Sequence, residues 1–126
     1  MGGGVALILI VEDDEQVRVL AEGVLLDHGY KTLSAATTDQ ALALVEGGEK
    51  IDLLFTDIGL QSDIQAGLVL AQEVTRKWPQ LPVLYTTGQG LTDGMQAMFV
   101  ERFGYLAKPY TPEQLTTAVE NLLSQR

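Results

Sequence analysis

The sequence predicts a doubly wound α/β domain: one five-stranded parallel sheet with helices on both faces. Three observations predict it. Five apolar runs of strand length recur along 126 residues, and a helical stretch follows each. The strongest runs are continuously apolar rather than alternating, as expected of strands covered on both faces. The connections are short, and this alternation implies right-handed crossovers and parallel pairing. A hydrophobic content of 46% is ample for one core, and the length suits one domain.

The elements follow in order. "VALILIV" (5–11) is the first strand, and acid ends it. "DEQVRVLAEGVLLDHG" (14–29) sets Val17, Leu20, Ala21, Val24 and Leu25 at three- and four-residue spacing, with Gly29 as the helix stop. "YKTLSA" (30–35) is a weaker, partly alternating strand. "TTDQALALVEGG" (37–48) opens on a Thr or Asp cap and closes on Gly47. "DLLFT" (52–56) is a buried strand, with Asp52 in the preceding turn and Asp57 where the strand runs out. "GLVLAQEVTRKWP" (67–79) is a helix ending before Pro79. "PVLYTT" (82–87) begins with Pro, which strands tolerate at their first residue. "LTDGMQAMFVERF" (91–103) is the weakest helix, interrupted by Gly94. "GYLAK" (104–108) is short and ended by Pro109. "TPEQLTTAVENLLSQR" (111–126) has a Thr cap and Pro at its first helical position. Residues 1–4 are expected to be a flexible tail, and 5–126 a single domain of flavodoxin-like type.

Composition narrows the function. The net charge of −9 disfavours direct binding to nucleic acid or an anionic membrane. With no cysteine, disulfides, thiolate chemistry and Cys-based metal sites are excluded, which fits a cytoplasmic protein. No apolar run reaches the roughly 18 residues a membrane span needs. The start lacks the basic region of a signal peptide.

In a doubly wound sheet, ligands bind at the carboxyl ends of the strands. Those ends carry Glu12, Asp13 and Asp14, then Asp57, then Thr86 and Thr87, then Lys108. Carboxylates brought together repel, so one takes a proton or a cation sits among them. Hard oxygen ligands suit Mg²⁺. A metal, a hydroxyl and an ammonium around one carboxylate form the electrostatic apparatus of phosphoryl transfer, with Asp as nucleophile.

"LILIVEDDE", "LLFTDIGL", "PVLYTTGQG" and "YLAKPY" together resemble the receiver domain of two-component response regulators, over essentially the whole chain after the glycines. The resemblance implies a (βα)5 receiver fold and a role for each matching residue. Asp57 matches the phosphoacceptor. Glu12 and Asp13 match the acidic pair that holds Mg²⁺ with Asp57, and the backbone carbonyl of Gly59 matches a further ligand. Thr87 matches the switch hydroxyl, Lys108 the lysine that pairs with a phosphoryl oxygen, and Tyr105 the switch aromatic. Asp14 falls just past the pair and reads as a helix cap. Thr86 reads as packing.

The resemblance also implies partners. A histidine kinase or phosphotransfer protein would donate the phosphoryl group. The output would be a downstream protein target, or an attached kinase in a hybrid, with homodimerisation on phosphorylation as one further outcome. The domain would signal rather than act as an enzyme, assisting its own phosphorylation and autodephosphorylation. The switching surface would be the fourth helix and fifth strand.

Several features depart from the family pattern. Gln61 stands where a proline is common, and the loop to Gly67 is about a residue longer. Gly59 has no side chain to shield a phosphoryl group, and Gly88 and Gly90 flank Gln89. Two other readings compete with phosphotransfer. One is a phosphorylation-independent interaction module on the same fold. The other is a Mg²⁺-dependent aspartyl phosphatase, which Gly59 disfavours because such enzymes resemble a motif with a second Asp there. His28, the only histidine, is expected to interact with the end of its helix, and Trp78 to pack at a helix end.

Overall fold

The computed structural model describes residues 5–125. The expected tail at 1–4 and Arg126, where the last helix was expected to end, lie outside them.

Ten elements alternate without exception. They are β1 (Leu7–Val11), α1 (Glu15–Asp27), β2 (Lys31–Ala35), α2 (Thr38–Glu46) and β3 (Leu53–Asp57), then α3 (Ala66–Lys77), β4 (Val83–Thr87), α4 (Asp93–Ala97), β5 (Phe103–Ala107) and α5 (Pro112–Ser124). The strands form one sheet in the order β2-β1-β3-β4-β5, and every pair is parallel. The order reverses at β1, between β2 and β3, and this switch point opens a crevice at the carboxyl edge.

Period-two alternation divides β1 between two cores. Leu7, Leu9 and Val11 pack with Ala41, Val45, Leu68 and Val74, from α2 and α3. Ile8 and Ile10 pack with Ala21, Leu25, Leu115 and Val119, from α1 and α5. Both faces are therefore apolar, which explains the continuous hydrophobic run.

Capping follows the sequence closely. Asp14 accepts from the backbone N–H groups of Gln16 and Val17. Thr111 and Gln114 form a reciprocal capping box with Pro112 at the start of α5. Gly29 closes α1 at φ 96°.

Two expectations need correction. Leu20 sits at helical spacing yet is 70% exposed, because α1 turns only Ala21 and Leu25 fully into the core. The fourth helix is five residues, not thirteen. Val100 N–H donates to the buried Tyr85 hydroxyl at 3.1 Å, so it is unavailable to a continuing helix. The Phe99 ring stacks on Tyr85 with centroids 4.2 Å apart.

Candidate functional site

The site is built from residues that end strands. Glu12 follows β1, and its N–H donates to Ala35 O on β2. The parallel pairing so extended holds Glu12 at only 4% exposure. Its Oε2 accepts from Asp14 N–H at 3.1 Å, and its Oε1 lies 2.6 Å from Lys108 Nζ. Arg18, one turn into α1, donates to the Glu12 carbonyl at 2.9 Å.

Asp57 is the last residue of β3 and is 8% exposed. It lies opposite Thr86 in the β3–β4 register. Its Oδ2 accepts from Lys108 Nζ at 2.6 Å. Among the described residues its Oδ1 accepts no hydrogen bond, so one oxygen is held and the other is presented. Asp13 is exposed, and its Oδ2 accepts from Gln61 N–H at 2.7 Å.

Lys108 thus bridges Glu12 and Asp57. Its backbone N–H donates to Thr87 O at 3.1 Å, and the Lys108–Pro109 peptide is cis. Burial pulls the Lys108 ammonium down, but the Asp57 and Glu12 carboxylates outweigh it, so its pKa is raised and it stays charged. Burial raises the Glu12 carboxyl, against the opposing pull of Lys108 and Asp14 N–H.

Thr87 ends β4 at 7% exposure, and its hydroxyl accepts from Gln89 N–H. Thr86 is not simple packing: its hydroxyl donates to Leu106 O at 2.6 Å, tying β4 to β5. Tyr105 is half-buried and in register with Tyr85. Gly59 stands on the loop after β3, where an added Cβ would meet Ile64 at an ordinary 3.6 Å. His28 reaches Glu120 of α5 at 2.7 Å rather than only the end of its own helix.

One oxygen from each of Glu12, Asp13 and Asp57 lies within 4.8 Å of the others. Three carboxylates against one ammonium leave two formal negative charges when all are ionised. That donor set, all hard oxygen, fits a divalent cation of the Mg²⁺ kind. Proximity of a presented carboxylate oxygen, a fixed ammonium and a carboxylate cluster that could hold a cation suits chemistry on an anionic group.

α3 begins almost against this site. Gly67 N–H donates to Ile58 O at 2.7 Å, and an added Cβ would lie 1.8 Å from the Asp57 carbonyl oxygen. Only glycine allows that approach. Sequence reasoning also missed an apolar groove beside Lys108, a cavity of about 320 Å³ lined by Val17, Leu20, Val24, Pro109 and Tyr110. Its signal was present in "KPYTP", whose Pro109, Tyr110 and Pro112 line the groove together with residues of α1.

Comparison with known proteins gives a consistent answer. The family model for the response regulator receiver domain matches residues 8–120. The nitrogen assimilation regulatory protein NtrX of Azorhizobium caulinodans is 32% identical over 117 residues, 92% of this chain and 26% of that protein. The sensor kinase CckA of Brucella abortus is 29% identical over 126 residues, 98% of this chain and 13% of that protein. This chain therefore spans about a quarter or less of the length of these curated relatives. The crystal structure of a response regulator receiver protein from Sinorhizobium medicae superposes with a TM-score of 0.86 at 26% identity, covering 96% of each chain.

Proposed function

The chain belongs to the response regulator receiver domain family, and on that premise we propose that Asp57 accepts a phosphoryl group within a His-Asp phosphorelay. One observation carries the proposal. Asp57 is held at Oδ2 by Lys108 at 2.6 Å while Oδ1 is left presented at the strand end.

The donor is the phosphohistidine of a histidine kinase or phosphotransfer protein. Asp57 Oδ1 attacks phosphorus, the P–N bond breaks, and the imidazole leaves with the electron pair and takes up a proton. The product on this chain is an acyl phosphate. Mg²⁺ held by Glu12, Asp13, Asp57 and the Gly59 carbonyl would neutralise charge on the phosphoryl oxygens as the bond forms. Lys108 then exchanges part of its contact with Asp57 and Glu12 for a phosphoryl oxygen. The Thr87 hydroxyl turns from Gln89 N–H toward the same group. Tyr105 and the segment from α4 to β5 follow as a population shift between two surfaces. The exposed groove of Val17, Leu20 and Val24 gives a phosphodonor an apolar surface next to Lys108.

Intact mass after incubation with Mg²⁺ and acetyl phosphate tests this. One added phosphoryl group is expected, absent in Asp57→Asn and in chelator. No adduct under any of these conditions, nor with beryllofluoride, would favour a phosphorylation-independent interaction module. No described helix is long and apolar enough to cross a membrane.

A further inference from the structure

We propose that the backbone N–H of Gln61 is a positioning group that orients Asp13 for the cation, and that the left-handed conformation of Gln61 exists to aim it. This inference rests on the Mg²⁺-dependent reading above and extends it to a residue outside the acidic cluster.

The loop after β3 folds back as a tight turn. Leu60 N–H donates to Asp63 O and Asp63 N–H to Leu60 O, each at 3.0 Å. Within it Gln61 takes φ 57°. Among the described residues it is the one non-glycine with positive φ. Side chains rarely adopt that conformation without a compensating contact. The compensation visible is Gln61 N–H to Asp13 Oδ2, 2.7 Å, across 48 residues of sequence.

The consequence is geometric. Asp13 is exposed, so an untethered carboxylate there would sample several rotamers. With Oδ2 held by Gln61 N–H, the carboxylate keeps the orientation in which one of its oxygens lies within 4.8 Å of an oxygen from each of Glu12 and Asp57. The hydrogen bond also joins the loop that follows Asp57 and carries Gly59 to the segment after β1 that carries Asp13. Both ligand-bearing segments are thereby fixed before the cation arrives. Hydrogen bonds that orient a ligating carboxylate commonly matter for metal affinity by 10–100-fold. Proline cannot fill this position, because it has no N–H and its φ is fixed near −65°.

Mg²⁺ titration of the whole chain by calorimetry, beside thermal melts without Mg²⁺, tests this. Gln61→Ala and Gln61→Gly keep the N–H and should bind Mg²⁺ within about twofold of wild type. Gln61→Pro should bind about tenfold more weakly, more than its melting shift alone would suggest. Equal affinity in Gln61→Pro, or an Ala variant as weak as Pro, would overturn the inference. Should Gln61→Pro fail to fold, amide exchange of wild-type Gln61 decides. Protection that persists with Mg²⁺ and is lost in Asp13→Ala supports positioning, and an unprotected amide refutes it. A wild type that binds no Mg²⁺ would instead sink the cation-dependent reading, and the inference with it.

Discussion

The two edges of the sheet hold similar ingredients and use them differently. At the carboxyl edge, Lys108 Nζ lies 2.6 Å from both the Glu12 and the Asp57 carboxylate. At the amino edge a larger cavity, about 430 Å³, lies among Lys50, Asp52, Lys77, Trp78 and Arg102. There the charges are spent on backbone. Lys77 donates to Val45 O at the end of α2 and lies 5.0 Å from the Trp78 ring centre. Arg102 donates to Gln80 O and to Leu122 O near the end of α5. Asp52 accepts from Leu7 N–H at 2.8 Å. These cations neutralise helix carboxyl ends, where the dipole is negative. Cavity size and charge do not make a site. Charges aimed at one another do.

The largest effect should come where backbone and site meet. Gly67→Ala forces a Cβ to 1.8 Å from Asp57 O and 2.9 Å from Ile58 Cα, so α3 or the end of β3 must move. A loss of about 3 kcal/mol is expected in urea denaturation. A variant of wild-type stability would mean that the close approach is not required.

Lys108→Met comes next. It leaves Glu12 and Asp57 facing each other without their cation, at an expected cost of about 2 kcal/mol at neutral pH, reduced by the partial exposure of Lys108. That cost should shrink in acid, because Glu12, already raised by burial, takes a proton and relieves the repulsion. A cost independent of pH would break the account of this edge.

Arg102→Ala probes the other edge. A loss of about 1 kcal/mol is expected from its carbonyl bonds, with phosphoryl uptake unchanged. An effect on uptake would erase the contrast between the edges.

The smallest signal is an alkaline one. Burial pushes Tyr85 and Tyr110 from the ordinary 10 up to about 12. The unfolded chain therefore ionises first. The stability these neutral phenols contribute is present below about pH 10 and is lost as pH rises towards 12. Denaturation midpoints measured across that window should fall, and Tyr85→Phe should flatten the fall.

The fold was legible because both faces of each central strand are apolar, and because caps such as Thr111 and stops such as Gly29 act within a few residues. The ends of β1, β3 and β5 were legible because acid, Asp57 and Pro109 interrupt apolar runs. What was not legible depends on tertiary geometry. Leu20 has core spacing, but α1 is rotated so that Ala21 and Leu25 face inward. The fourth helix has helical composition, but Tyr85 takes the N–H of Val100. Gln61 N–H meets Asp13 only through a turn whose φ no residue type announces.

The central claim is that Asp57, the presented carboxylate among three, is the one that becomes phosphorylated. Borohydride reduction of the acetyl phosphate-treated protein, followed by peptide sequencing across residues 7–18 and 51–65, reads it directly. The account predicts homoserine in place of Asp57, with Glu12 and Asp13 unchanged. Reduction at Glu12 or Asp13, or an unmodified Asp57 in protein that carries the added mass, would contradict it.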